Sequence, residues 1–366
     1  GAVGSRDWER SRLAALYALA QGDAPVVVAT ADGLMARTLP PETLRSLAIT
    51  LEVGGQAELG ALAEQLLSAG YTRCEQVEGV GQFALRGGIL DVFSPLMDQP
   101  VRCEFFDDEI DSMGAFDPGT QRRTRNVSSA RILPAAEVLP HCAPGGLPGL
   151  ADQLTALAEK LAKKQKTEAI VQTLREDAER LRSGAAPGAA DRYLAAIYPT
   201  VTAGVHYLPP DAVVFLSESG RVDERVKNTV LQQKQDVEAL LSAGVLAGEY
   251  AHLTLTAEEL YAALEDFPVI LEDSLPTSRH PLRPRGLLTM NAKQLSSYGG
   301  SLETAVTDLE HYRSSGSAVL VLCGGETRAK NLHRLLEEKG IPATLDLSGA
   351  AMPAAASFTS RIPEVM

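Results

Sequence analysis

Gly79-Val80-Gly81-Gln82-Phe83-Ala84-Leu85-Arg86-Gly87-Gly88-Ile89-Leu90-Asp91-Val92-Phe93-Ser94-Pro95, followed by Val101-Arg102-Cys103-Glu104-Phe105-Phe106-Asp107-Asp108-Glu109-Ile110-Asp111-Ser112, is the stretch that decides how this chain folds. Polar and apolar residues alternate through Gln82 to Arg86, Ile89 to Phe93, Val101 to Phe106 and Glu109 to Ala115. Short turns at Gly87-Gly88, Ser94 to Pro100 and Asp107-Asp108 separate the runs, which is the pattern of antiparallel strands. Side chains alternate across a strand, so Val101, Cys103 and Phe105 share one face while Arg102, Glu104 and Phe106 share the other. By the same rule Phe83 and Leu85 point inward, and Gln82, Ala84 and Arg86 point outward. If the strands form one sheet, Arg86, Arg102, Glu104 and Phe106 are expected on a common surface. Two readings of that surface stay open. Arginines and exposed aromatics dominate protein interfaces, because they bury much area while keeping a polar end satisfied. Alternatively Phe106 covers the neighbouring helix, and the arginines pair with Asp107, Asp108 or Asp111.

Outward from this stretch, Leu59, Leu62 and Leu66 repeat at helical spacing and Gly70 marks a stop, which completes a small α+β module. Upstream, Ser5 to Gly22 predicts a helix with Ser5 as cap, and Val26 to Ala29 predicts a strand buried on both faces. Asp32-Gly33 is expected to turn the chain. Downstream, one long polar helix is expected over Leu147 to Arg182, ending in the linker Ser183 to Gly188. Strands at Ala212 to Leu216 and Val269 to Leu271 flank a helix near Arg225 to Ser242. A last βα unit follows: strand Ala318 to Leu322, loop Gly324-Gly325 and helix Thr327 to Lys339, with a loose tail over Ser348 to Ser357. The fold class is therefore α/β and α+β.

The chain has 366 residues with 45% hydrophobic and 22% charged content, a globular composition with room for two to four domains. Its apolar runs are too short to cross a bilayer and no charged-then-apolar leader opens it, so a cytoplasmic protein is expected. A start at Gly1-Ala2-Val3-Gly4 reads as a cloning remnant or an internal start, hence a piece of something longer. The formal net charge of −13 opposes binding to nucleic acid unless basic residues are gathered on one surface. The densest basic cluster, Arg122-Arg123-Thr124-Arg125, has no interleaved aromatic and reads as a solvated loop. Four cysteines and six histidines are scattered, without CxxC pairs or helical His spacing, so neither a metal site nor a disulfide framework is expected.

The layers of α/β texture invite a nucleotide site, but no G-x-x-x-x-G-K-[ST] loop occurs. Gly324-Gly325-Glu326-Thr327 lacks the lysine and reads as an ordinary βα turn. In Ala212-Val213-Val214-Phe215-Leu216-Ser217-Glu218-Ser219 an apolar strand ends where NTPases hold Mg²⁺, yet Ser217 stands at the aspartate position and only Glu218 remains. Ser217 and Glu218 are thus a coincidence or the relic of a dead ATP site. Glu272 and Asp273 read as solvated strand-end residues.

The stretch from Gly79 to Ser112, continued by Phe116-Asp117-Pro118 and Thr120-Gln121-Arg122, resembles the module shared by UvrB and the bacterial transcription-repair coupling factors (Mfd). The likeness is strong over 71–139 and weaker elsewhere. Mfd is favoured over UvrB by the loss at Ser217, by the absence of a tyrosine-rich DNA-clamping hairpin, and by the βα segment after Gln294. The resemblance implies a degenerate helicase-like α/β domain with an inserted UvrA-binding module. It divides the chain into an α/β remnant over 1–46, the module over 47–131, the second part of the UvrB-like domain over 132–293 and a small, truncated α/β domain over 294–366. It further implies UvrA as partner through Arg86, Arg102 and Phe106, with Glu104 in support. RNA polymerase, DNA, ATP and Mg²⁺ would belong to domains outside this chain. The alternative is a nucleotide-dependent helicase-like ATPase fragment or a UvrB-like DNA-damage protein.

Overall fold

The computed structural model describes residues 2–24, 26–164, 168–275, 277, 279–289 and 302–347. The chain divides into two compact units, 1–286 and 287–366.

The first unit opens with helix α1 (Ala2–Gln21), followed by α2 (Ala31–Met35) and α3 (Pro41–Leu47). Leu13, Leu16 and Tyr17 form the buried stripe that the sequence places on one face of α1. Val26 to Ala29 is not a strand. Val26 and Val28 are 82% and 96% exposed, and among the described residues no strand lies beside them. A strand buried on both faces needs neighbours on either side; without them the apolar run stays extended and wet. Nor is Asp32-Gly33 a simple turn: both lie within α2, where the Thr30 hydroxyl accepts the Gly33 N–H at 3.4 Å.

The module begins with β1 (Ile49–Glu52) and α4 (Leu59–Ser68), whose first turn is capped by the Glu58 carboxylate accepting from the Gly60 and Ala61 N–H groups, both at 2.8 Å. Then come β2 (Thr72–Arg73), β3 (Gln82–Arg86), β4 (Ile89–Val92), β5 (Val101–Phe106), β6 (Glu109–Phe116), β7 (Arg123–Asn126) and β8 (Ser129–Ile132). Strands β2 to β7 form one six-stranded sheet in sequence order, antiparallel except for the β2–β3 pair. Strands β1 and β8 pair separately, Ile49 opposite Ile132 and Glu52 opposite Ser129, so the entering and leaving chains are laced together at the module's base. The main core joins Leu62 and Leu66 of α4 to Phe83, Leu90, Val92, Val101, Cys103 and Met113. A smaller cluster of Val77, Ala84, Phe93 and Phe116 lies apart from it.

Beyond the module, α5 (Gly146–Lys163) and α6 (Glu168–Arg182) replace the single long helix expected over Leu147 to Arg182. They form a hairpin: Arg182 of α6 donates to Thr155 of α5 at 2.8 Å and faces Asp152 at 3.4 Å. In one straight helix, residues so far apart in sequence would be separated by about 40 Å. The reversal lets Leu150, Leu154 and Leu161 share a core with Ile170, Leu174 and Leu181, together with α1 and the short α7 (Leu194–Ile197). Strand β9 (Val214–Ser217), helix α8 (Ser219–Ser242), helix α9 (Ala257–Leu264) and strand β10 (Val269–Glu272) complete the unit. The two strands pair in parallel, as a strand–helix–strand unit requires. Met35 of α2, Leu216, Val226, Leu260 and Leu264 form the local core.

The second unit holds α10 (Leu302–Ser314) and α11 (Glu326–Glu338), packed through Val306, Leu336 and Ile341. Ala318 to Leu322 forms no strand, and Val319 to Leu322 are 43% to 87% exposed; a lone apolar run with no partner strand gains nothing from extending. The Gln294 boundary and the tail after Ser348 lie outside the described residues. Among the described residues no helix is long and apolar enough to cross a membrane.

Candidate docking face of the module

The hairpin β3–β4 turns through Gly87-Gly88, which leaves Arg86 opposite Ile89 and Ala84 opposite Asp91. Gly87 adopts a left-handed φ of 58°, and a side chain on Gly88 would lie 2.9 Å from the Phe105 carbonyl, so both glycines serve this turn. Strand β5 then sets Arg102 opposite Asp91 and Glu104 opposite Ile89. Ala84, Asp91 and Arg102 therefore form one cross-strand row, and Arg86, Ile89 and Glu104 the next row on the same face. The ladder between β5 and β6 shifts register at Glu104/Phe105. Phe105 nonetheless packs against the main core with Cys103, so Phe106 emerges on the face of Arg102 and Glu104.

Asp91 is fully buried. Its two oxygens accept from Arg102 Nε at 2.7 Å and Nη2 at 2.8 Å, and from Arg86 Nη2 at 2.8 Å. The arginines do not pair with Asp107, Asp108 or Asp111; their acid is on the neighbouring strand. Arg102 lies over the Phe116 ring, 4.6 Å from its centroid, and approaches the backbone and side-chain oxygens of Gln121 at 3.5 and 3.4 Å. Gln121 itself is anchored by its Nε2 donating to Val77 and Pro118 carbonyls at 3.0 and 2.7 Å. Hydrogen bonding to Asp91 raises the Arg102 pKa above its ordinary value, which fixes the guanidinium as a cation. Arg86 is the more open of the two, its side chain 47% exposed against 21% for Arg102.

Glu104 accepts from the Ser112 hydroxyl at 3.1 Å and faces Arg123 at 3.9 Å. Phe106 does not cover α4; it is 75% exposed beside the turn at Asp107. The Arg122 to Arg125 cluster is not wholly a loop, since Arg123 to Asn126 form β7, all exposed. Charged residues on an outer strand discourage edge-to-edge pairing. Asp91, Phe116 and Gln121 are the site residues that sequence reasoning missed. An acid inside the apolar run Ile89 to Phe93 is the signal that points to the first of them.

The second candidate region lies where β9 meets α8. Ser217 ends the strand, and Glu218 takes a left-handed φ of 54° and accepts from the Ser274 hydroxyl at 2.5 Å. Asp273 is not simply solvated: it accepts the Ser219 N–H at 2.7 Å and the Ser219 hydroxyl at 2.8 and 2.9 Å, capping α8 from the next strand. Both carboxylates are thus engaged by serine donors. Among the described residues no cluster of histidines, cysteines and acids is arranged to hold a metal ion.

A six-stranded sheet laced at its base, with one buried acid under two arginines, is the setting in which comparison with other proteins becomes informative. Residues 49–137 match the UvrB interaction domain family, from the first residue of β1 to just beyond β8. The chain is 27% identical over 354 residues to the transcription-repair-coupling factor of Bacillus subtilis (strain 168), covering 96% of this chain and 30% of that protein. It is 30% identical over 346 residues to that of Myxococcus xanthus, covering 90% of this chain and 28% of the relative. A Staphylococcus aureus (strain USA300) protein of the same name is 25% identical over 346 residues, 92% of this chain and 28% of its own. These likenesses support reading the chain as the N-terminal region of a transcription-repair-coupling factor, with the UvrB interaction domain match confined to residues 49–137. It spans less than a third of the length of these relatives.

Proposed function

We propose that this chain is a binding region without catalytic activity of its own, whose module over 47–131 docks UvrA and so recruits nucleotide excision repair to RNA polymerase stalled at a lesion. Residues 1–46 and 132–293 serve as its scaffold, a helicase-like α/β domain that has lost its ATP site at Ser217 and Glu218, and 294–366 form a further small domain. ATP, Mg²⁺, DNA and RNA polymerase are handled by domains outside this chain. The observation that carries the reading is the composition of one sheet face. Arg86 and Arg102 stand as adjacent cations over one buried acid, Phe106 is an exposed aromatic on the same face, and Glu104 lies between Arg102 and Phe106 along β5. Along the strand Arg102 and Phe106 are about 13 Å apart, so both fit within one ordinary protein footprint.

The test is gel filtration of the purified chain with UvrA, alongside a Mg-ATP turnover assay. A stable complex is expected, lost in Phe106→Ala and Arg102→Ala, with no nucleotide turnover. Turnover by the chain, or complexes unaffected by both substitutions, would overturn the reading.

A further inference from the structure

We infer that Asp91 is a positioning residue for the docking face, holding Arg102 and Arg86 in one fixed arrangement to meet the partner; the inference rests on the docking reading above. Asp91 is 0% exposed, so it cannot itself touch another protein. An unpaired carboxylate at such depth would be costly, and three N–H donors from two guanidinium groups satisfy it instead. The bond pattern is unequal. Arg102 spends its Nε and Nη2 on the two oxygens, with its plane against Phe116 and its outer edge at Gln121. Arg86 gives only Nη2. Arg102 is therefore locked before any partner arrives, and the rotamer entropy that a long side chain loses at an interface is lost on folding instead.

Two cations share one anion, so the cluster keeps one formal positive charge, and Arg86 is its more exposed part. Guanidinium groups only donate hydrogen bonds. The partner surface that fits this point therefore offers acceptors, carboxylate oxygens above all. Neutralising Asp91 without changing its size would break the Arg102 fork and weaken the single Arg86 bond, leaving the arginines present but poorly aimed.

The experiment uses the whole chain, purified UvrA and isothermal titration calorimetry, with circular dichroism melts for every variant. Asp91→Asn is expected to weaken binding about tenfold or more, on the scale of a central interface truncation. In an Arg102→Ala background the same change is expected to cost clearly less than in the unsubstituted chain, since only the single Arg86 bond is left to lose, whereas with Phe106→Ala the two losses multiply. A merely structural role predicts the same loss in every background, in step with the fall in folded fraction. Wild-type affinity in Asp91→Asn, or full multiplication with Arg102→Ala, overturns the inference. If Asp91→Asn does not fold, Arg102→Lys keeps the charge and removes the fork; wild-type affinity there overturns it equally. Loss in Phe106→Ala without loss in Asp91→Asn removes the positioning role alone. No loss in Phe106→Ala, Arg86→Ala and Asp91→Asn removes the docking reading, and this inference with it.

Discussion

Truncating Phe106 to alanine separates a docking ring from a packing ring. In the free chain the residue is 75% exposed, so about a quarter of its surface is covered by the fold. Complete burial of a phenylalanine side chain is worth about 1.5–3 kcal/mol. If a partner covers the remaining three quarters, the ring contributes about 1–2 kcal/mol to the complex. At about 1.4 kcal/mol per decade this raises the Kd by about 5- to 30-fold. Folding stability should move little, within about 0.5 kcal/mol, since an exposed site away from special contacts rarely does more. The assay is calorimetric titration with UvrA paired with thermal melts of the free chain. Unchanged affinity refutes the reasoning about the interface. A melting midpoint lowered by several degrees refutes the premise that the ring is unpacked.

Other expectations follow from burial and charge. Burial holds the Glu137 carboxyl above the usual carboxylate range, outweighing Arg12 at 3.1 Å and the Thr38 hydroxyl at 2.6 Å. The native state therefore binds the extra proton, so this contribution to stability is full below about pH 4.3, the ordinary glutamate value, and is lost as pH rises through the raised native value. Glu137→Gln should flatten that decline in denaturant melts from pH 4.5 to 7; Glu9, raised by the same cause, keeps part of it. A steeper decline in the variant would contradict the sign. Gly244→Ala should destabilise by about 1–3 kcal/mol in urea melts, because φ is +67° and a new Cβ would lie 2.6 Å from that of Ala169 on α6; unchanged stability would show that α6 yields. Burial pushes the Cys103 thiol up to about 12, so alkylation followed by mass spectrometry should leave it unmodified until the chain unfolds.

Much of the module was legible because its signal is local. Period-two alternation and glycine or acid turns identify β3, β4, β5 and β6 without knowledge of anything distant, and α4 follows from three leucines and a terminal glycine. Where the reading failed, the deciding contact was remote. Val26 to Ala29 and Ala318 to Leu322 carry the composition of buried strands, but a strand exists only with a partner, and among the described residues neither has one. The 147–182 segment carries helical periodicity throughout, which is equally true of one helix or of two that fold back; the Arg182 contacts to Asp152 and Thr155 decide between them.

The candidate site divides along the same line. Which residues share a face on β3 and β5 follows from alternation, and Arg86, Arg102, Glu104 and Phe106 do share one; Ala84, expected outward on that face, is instead buried with Val77, Phe93 and Phe116. Sequence proximity offers Asp107, Asp108 or Asp111 as partners for the arginines, and the structure uses none of them. Half of the answer was within reach: a two-residue turn at Gly87-Gly88 fixes Arg86 opposite Ile89, and Asp91 is then Arg86's diagonal neighbour on the same face. The other half was not, because the longer link from Phe93 to Pro100 leaves the register of β5 free, and only that register sets Arg102 opposite Asp91. A slip of one residue would turn Arg102 into the core and Cys103 toward solvent. The bidentate bond to a buried acid thus reinforces the register that apolar burial on the opposite face selects, and the same contact that aims the arginine helps align the strand carrying Phe106.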